Sequence, residues 1–256
     1  MDRLLEATYR VEQRHFWWTG LRRFARPLVA DALAGRSDPR ILDCGCGTGA
    51  NLVMLAEFGR AIGFDLSRRG LEFARGYGQP RLARASVTHI PFADATFDLV
   101  TAFDVLYALG EADEALAIAE MYRVLRPGRH LIVNVAALDM LRGNHALFGA
   151  EVRRSTRRRL RAVLTRAGFE ITRLTYSNAS IFPLILAVRT AQRMMGLASP
   201  EEAGTDVVLP ARPVNALLSA LLRLEAGALR VVDMPIGSSL LCVARRPALS
   251  GVEGLE

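Results

Sequence analysis

Lysine is absent from all 256 residues, so each of the 33 basic side chains is an arginine. That excludes chemistry that needs a lysine, such as a Schiff base with a carbonyl substrate or the lysine of a phosphate loop. Cysteine is scarce, with only Cys44, Cys46 and Cys242. Their spacing offers neither a zinc set nor a disulfide framework, which suits a reducing compartment. No uninterrupted apolar run is long enough to span a bilayer, and the charged N-terminal stretch lacks a signal-peptide pattern. A cytoplasmic protein is therefore expected. Internal repeats and low-complexity tracts are also missing.

Hydrophobic residues make up 51% and charged residues 23%, the balance of a globular chain. The length suits one large domain, or one domain with a substantial insertion. A net charge of +7 and a sequence pI near 10.1 raise nucleic acid or an acidic membrane surface as partners. The arginines are scattered, however, and only Arg153 to Arg161 forms a dense run. Such a run reads first as a solvated helix face, which disfavours nucleic acid.

The chain is organised around Ile41 to Asn51, ILDCGCGTGAN. Ile41 and Leu42 close an apolar strand that ends in Asp43. Gly45, Gly47 and Gly49 then permit a sharp bend and a close approach to a ligand. Leu52, Val53, Leu55 and Ala56 follow with helical spacing. A strand, a bare glycine turn and a helix N-terminus form a nucleotide pocket at the carboxyl edge of an open α/β sheet. A second strand, Arg60 to Phe64, ends in Asp65, where an acid would hydrogen-bond ribose hydroxyls. The glycines run G-x-G-x-G, which argues against the usual dinucleotide fingerprint.

Together with GFDLS, IPFADATFDLV and VLRPGR, this loop resembles the class I S-adenosylmethionine-dependent methyltransferases over roughly Arg40 to Val135. The resemblance implies a Rossmann-like α/β fold with a mostly parallel sheet, an antiparallel last strand, and S-adenosylmethionine as cofactor. It carries cofactor-binding roles onto Trp18, Arg22, Asp43, Gly45, Cys46, Gly47, Asp65, Leu66, Ser86, Val87 and Phe103. Relatives place an acid where Ser86 stands, so adenine recognition falls to the Ser86 hydroxyl and a backbone N–H. HFWWTGLRRF, within a helical stretch over Met1 to Ala34, resembles a bacterial subgroup marked by HFWW...RR. Two adjacent tryptophans cannot share one narrow helix face, so one of them meets something other than the main core. The segment either caps the sheet or closes over the cofactor, with an aromatic face toward the sulfonium and Arg22 toward the methionine carboxylate.

Strand and helix signals alternate from Asp38. Ser67 caps a helix to about Arg75, and strands follow at Arg81 to Ala85 and Phe97 to Phe103. A helix over Ala112 to Leu125 stops at Arg126-Pro127-Gly128, and Arg129 to Ala136 is a fifth strand. A basic helix spans Arg153 to Ala167, and Phe169 to Tyr176 is a sixth strand. Residues 1–34 are thus expected as a helical lid, 35–177 as the core, 178–235 as a helical insertion near the active site, 236–247 as the last strand and 248–256 as a frayed tail. The insertion holds two helical patterns, with a polar, mobile loop over Ala198 to Pro213.

Methyl transfer from a sulfonium is an in-line displacement, so the sequence should fix the cofactor more clearly than the acceptor. Thr101-Ala102-Phe103-Asp104 lacks the Asn/Asp-Pro-Pro-aromatic turn of amino-group methylation and the cysteine of a covalent route. A small-molecule acceptor, lipid-like or sugar-containing, is expected. Where the HFWW subgroup usually carries an acid and a histidine after the fourth strand, this chain has Tyr107 and Ala108. His145 and Glu151 remain as proton acceptors, with Tyr107 as orienter. A binding protein that has lost turnover and acts through a partner, and an RNA methyltransferase, are the alternatives. The insertion could instead dock on a membrane surface or a second subunit, and the sequence does not fix an oligomeric state.

Overall fold

A computed structural model of the chain describes residues 2–141, 151–194 and 207–248. Seven strands form one sheet: β1 Arg40–Cys44, β2 Arg60–Asp65, β3 Leu82–Arg84, β4 Phe97–Phe103, β5 Leu125–Ala136, β6 Glu170–Ser177 and β7 Ser239–Arg245. Their order is β3-β2-β1-β4-β5-β7-β6. β1 to β5 run parallel, and β7 lies antiparallel to both β5 and β6. This is the Rossmann-like architecture of class I methyltransferases with the expected antiparallel last strand.

The helices are α1 Asp2–Val11, α2 Phe16–Ala32, α3 Ala50–Leu55, α4 Arg68–Gly76, α5 Glu111–Val124, α6 Arg157–Arg166, α7 Phe182–Met194 and α8 Arg212–Ala228. They cover the sheet on both faces, which is why β4 is buried along its whole length and reads as an apolar run. On one face Phe24 and Val29 of α2, Leu52 and Leu55 of α3, and Leu222 of α8 pack on Ile41, Leu99, Ile132 and Leu241. On the other, Ile118 and Met121 of α5 and Leu160 and Leu164 of α6 pack on Leu42, Val100, Leu131 and Cys242.

Local chemistry sets the boundaries. Ser67 Oγ accepts the Gly70 N–H at 3.1 Å and starts α4. α6 begins at Arg157, later than the basic run suggests, because Thr156 caps it and Ser155 bridges to Ala137 beside β5. β5 reaches back to Leu125, so Arg126 to Gly128 is an irregularity in its pairing with β4 and not a turn before the strand.

Residues 178–235 contain α7 and α8. Glu225 of α8, only 4% exposed, accepts the Ala179 and Ser180 N–H groups, both at 2.9 Å, and the Ser180 hydroxyl at 2.6 Å just ahead of α7. α8 also packs along α2, where a Cβ on Gly20 would come within 2.6 Å of Leu222 Cδ1. The 3-10 turn Asp139–Leu141, just past the carboxyl end of β5, packs against α7. Most of the loop expected over Ala198 to Pro213, and the tail beyond Ala248, lie outside the described residues. Among the described residues no helix is long and apolar enough to cross a membrane.

Candidate cofactor and acceptor site

The loop after β1 turns through left-handed backbone at Gly45 (φ 70°), Gly47 (φ 52°) and Gly49 (φ 85°). Glycine at Gly49 is also a packing requirement, since a Cβ there would lie 2.6 Å from the Ala74 Cβ of α4. Asp65 holds the loop shut, with one oxygen accepting Gly47 N–H and the other Ser67 N–H, each at 2.8 Å. Leu66 N–H also bonds this carboxylate, which still leaves it acceptor capacity for a ligand hydroxyl. Asp43 lies beneath, fully buried, and accepts the Thr101 hydroxyl at 2.7 Å. Burial and the neighbouring Asp65 push its carboxyl up to about 7, against the Thr101 bond.

The N-terminal helices reach over this loop. Glu12, just past α1, is buried and accepts Thr48 Oγ1 at 2.8 Å and the Tyr77 hydroxyl at 3.1 Å. Burial raises its carboxyl, and those two bonds and Arg22 pull it back. Arg22 Nη2 donates to the Glu12 carbonyl at 2.7 Å, while Arg22 Nη1 is buried with no partner. Tyr9 stacks on Phe73 with ring centroids 4.3 Å apart, fixing α1 on α4. His15 caps α2 by accepting Trp17 N–H at 3.1 Å, a role for a neutral ring, and burial pushes it down to about 4. The two tryptophans part company here. Trp17 joins the core beneath α2, while Trp18 meets the His15 ring edge-on at 4.8 Å.

The sides of the site differ in how they use their residues. Cys46 and Phe103 point into the core, and Val87 is buried on the other sheet face, so these can meet a ligand only through backbone or edge atoms. Leu66 is 65% exposed. Ser86 Oγ is shared with Thr88 Oγ1 at 2.7 Å.

A second constellation stands at the carboxyl ends of β4 and β5. Asp104 has φ 55° and accepts Asn134 Nδ2 at 2.8 Å, and its N–H donates to the Asn134 carbonyl at 2.9 Å. Burial pushes its carboxyl up to about 6, partly offset by Asn134 and Arg154. Asn134 Oδ1 is buried without a donor. The Tyr107 carbonyl accepts the Val152 and Arg153 N–H groups at 2.9 and 3.2 Å, which brings Glu151 up to it. Burial, Asp104 and Glu151 push the Tyr107 phenol up. Glu151 takes both forks of Arg154 at 2.9 and 3.1 Å. The structure therefore brings Tyr107 and Glu151 together, while His145 lies outside the described residues. Asp104 and Asn134 carry no motif of their own, and their signal is position at the ends of adjacent parallel strands, where such sheets bind ligands.

The basic run faces inward more than a solvated face would. Glu114 pairs with Arg153 at 3.5 Å and with Arg159, and the Arg157 guanidinium lies 4.8 Å from the Tyr176 ring centroid.

Residues 42–133 match the family described as methyltransferase domain. The O-methyltransferase rstn1 of Aspergillus nomiae is 31% identical over 163 residues, 57% of this chain and 71% of that protein. The chain belongs to the class I S-adenosylmethionine-dependent methyltransferases. A demethylmenaquinone methyltransferase of Lactiplantibacillus plantarum is 38% identical over 107 residues, 38% of this chain and 44% of that protein. The chain thus spans less than half the length of that relative. In fold it is similar to the [4+2]-cyclase SpnF, with a TM-score of 0.58, 24% identity and coverage of 88% of this chain and 82% of that one.

S-adenosylmethionine is the cofactor of this family, and the residues present fit it. The orphaned Arg22 Nη1 suits a carboxylate, the glycine loop leaves backbone N–H groups bare of side chains, and Asp65 retains acceptor capacity for hydroxyls.

Proposed function

We propose that the chain methylates a hydroxyl of a small-molecule acceptor that is lipid-like or sugar-containing. The observation that carries this reading is Asp104, a half-buried carboxyl raised to about 6 at the carboxyl ends of the strands and oriented by Asn134. A hydroxyl acceptor must lose its proton as it attacks, and a base whose pKa lies near the working pH serves best. Asp104 takes that proton, and the donor-less Asn134 Oδ1 receives a second polar hydrogen of the acceptor. Glu151, fixed by Arg154, and the Tyr107 phenol complete a polar wall that orients the acceptor. When bound, S-adenosylmethionine supplies an electrophilic methyl on a sulfonium. Arg22, Asp65 and the glycine loop hold it, with Trp18 at the lid, as in the HFWW subgroup the N-terminal segment resembles. The names of the quinone and O-methyltransferase relatives support a small acceptor.

The second reading is a cofactor-binding protein without turnover, favoured by Tyr107 and Ala108 standing where that subgroup has an acid and a histidine. An RNA acceptor is the weakest reading, since Glu114, Glu151 and Tyr176 already engage Arg153, Arg154, Arg157 and Arg159. The test is release of S-adenosylhomocysteine across phenols, hydroquinones and glycosides. Turnover with at least one hydroxyl class is expected. Cofactor binding in calorimetry with no turnover on any of them would establish the second reading.

A further inference from the structure

An open cavity of about 370 Å³ lies at the amino ends of β1, β2 and β4, the end of the sheet away from the glycine loop. β1 separates the two by about 13 Å, at roughly 3.3 Å per residue. Arg36, Arg40, Arg60 and Arg126 line the cavity together with Asp38 and Asp98. Its size is that of a small-molecule site, but its charged lining is the reverse of the usual apolar pocket, so an ionic occupant is called for.

Both aspartates are already engaged. Asp98, 4% exposed, accepts the Arg40 N–H at 3.0 Å and pairs with Arg126 at 2.8 Å, with Arg129 a further 3.9 Å contact. Asp38, held in left-handed backbone at φ 53°, pairs with Arg60. Arg36 and Arg40 are exposed, and among the described residues neither guanidinium has an ion pair or a side-chain hydrogen bond. Arg40 and Arg60 are also register partners on adjacent parallel strands, one strand spacing of about 4.8 Å apart. Like charges at neighbouring strand positions repel unless an anion bridges them. We infer that this cavity binds the phosphoryl groups of a diphosphate-bearing small molecule. A guanidinium fork takes two phosphate oxygens at once, and two unpaired forks beside a third suit two linked phosphoryl groups. A nucleic acid strand fits less well, because it needs a continuous basic track and here Asp38 and Asp98 stand among the arginines.

The inference concerns binding alone and is independent of the proposed reaction. Its test is calorimetry on the whole chain with inorganic diphosphate, ADP, adenosine and citrate. Saturating S-adenosylmethionine is present, so that a nucleoside held at the glycine loop does not contribute. We expect diphosphate and ADP to bind, more weakly as salt rises, and adenosine not to bind. ADP bound more tightly than diphosphate would identify a nucleotide as the source of the phosphoryl groups, and the reverse order an inorganic one. Arg36→Ala and Arg40→Ala should each weaken diphosphate about tenfold, as loss of one charge-assisted hydrogen bond does. Their melting temperatures should stay unchanged without ligand, because both side chains are exposed and unpaired. Arg166→Ala, an exposed arginine of α6 outside the cavity, should leave the affinity as it is. Added diphosphate should raise the melting temperature of the unaltered chain and slow hydrogen exchange within residues 36–40. No binding of diphosphate, citrate bound as tightly, or an equal loss in Arg166→Ala overturns the proposal. A single-stranded RNA bound more tightly than diphosphate through Arg36 and Arg40 would also overturn it, by assigning the cavity to nucleic acid.

Discussion

Thr48 of the glycine loop donates to Glu12 at 2.8 Å, so the loop proposed to receive the cofactor is tied to the N-terminal helices by a buried hydrogen bond. Glu12→Ala would leave Thr48 and Tyr77 without their acceptor. We expect a loss on the order of 1–3 kcal/mol in denaturant unfolding. Faster hydrogen exchange in α1 than in α5 would accompany it. Unchanged stability and exchange would mean that α1 is held by Tyr9 and Phe73 instead.

Asp65 both closes the loop and faces the ribose site in this reading. Asp65→Ala should cost about 1.5–3 kcal/mol of S-adenosylmethionine affinity by calorimetry. It should also lower stability without ligand, because Gly47 and Ser67 lose their acceptor. An affinity equal to wild type would remove the ribose assignment, whatever the stability change.

Arg22→Met should weaken S-adenosylmethionine by about tenfold or more, the range for a charge-assisted hydrogen bond. Methylthioadenosine, which lacks the carboxylate, should bind both proteins equally. Equal losses for the two ligands would show that Arg22 acts only through the fold of the N-terminal helices.

The buried Asp43 and the half-buried Asp104 give a pH signature with a definite sign. Asp43 is raised to about 7 and Asp104 to about 6, both above the usual carboxylate range. Protonation is therefore favoured in the folded chain. Their contribution is fully present below about pH 4 and is lost as pH rises through 6 and 7. Urea unfolding without ligand should show stability falling across that window by an amount on the order of a few kcal/mol. Asp43→Asn should flatten the slope, and an identical slope in that variant would refute its buried origin.

For turnover, Asp104→Asn should lower kcat by about 10²–10⁴ with cofactor affinity kept. The wild-type rate should rise with pH through an inflection near 6, the pKa of Asp104. Tyr107→Phe and Glu151→Gln should act mainly on KM, as groups that orient the acceptor. A rate untouched by Asp104→Asn would move the proton acceptor elsewhere in the site.

The elements of the proposed cofactor side could be read from the chain because their signals are local. A strand running into alternate glycines, an acid closing the next strand and Ser67 ahead of a helix each declare themselves within a few residues. The antiparallel direction of β7 came from the resemblance. What sequence did not reveal depends on partners far along the chain. Asp104 meets Asn134 thirty positions away, and Asn215 of α8 accepts Phe16 N–H at 3.0 Å across 199 positions. The inward turn of Arg153 and Arg159 is invisible for the same reason, since periodicity marks a face but not the Glu114 that receives it. The irregularity in β5 was missed because Arg-Pro-Gly ordinarily ends an element.

Two of the three buried thiols, Cys46 and Cys242, form a two-speed clock. Cys46 lies in the glycine loop, and Cys242 lies in β7 between two paired strands. Burial pushes both thiols up, Cys242 to about 12, so neither reacts while the chain is closed. Alkylation of Cys46 then times the local opening of the loop, and alkylation of Cys242 times the separation of the sheet. A ligand in the loop should slow the first far more than the second, which lets the cysteines report occupancy without any probe added to the site.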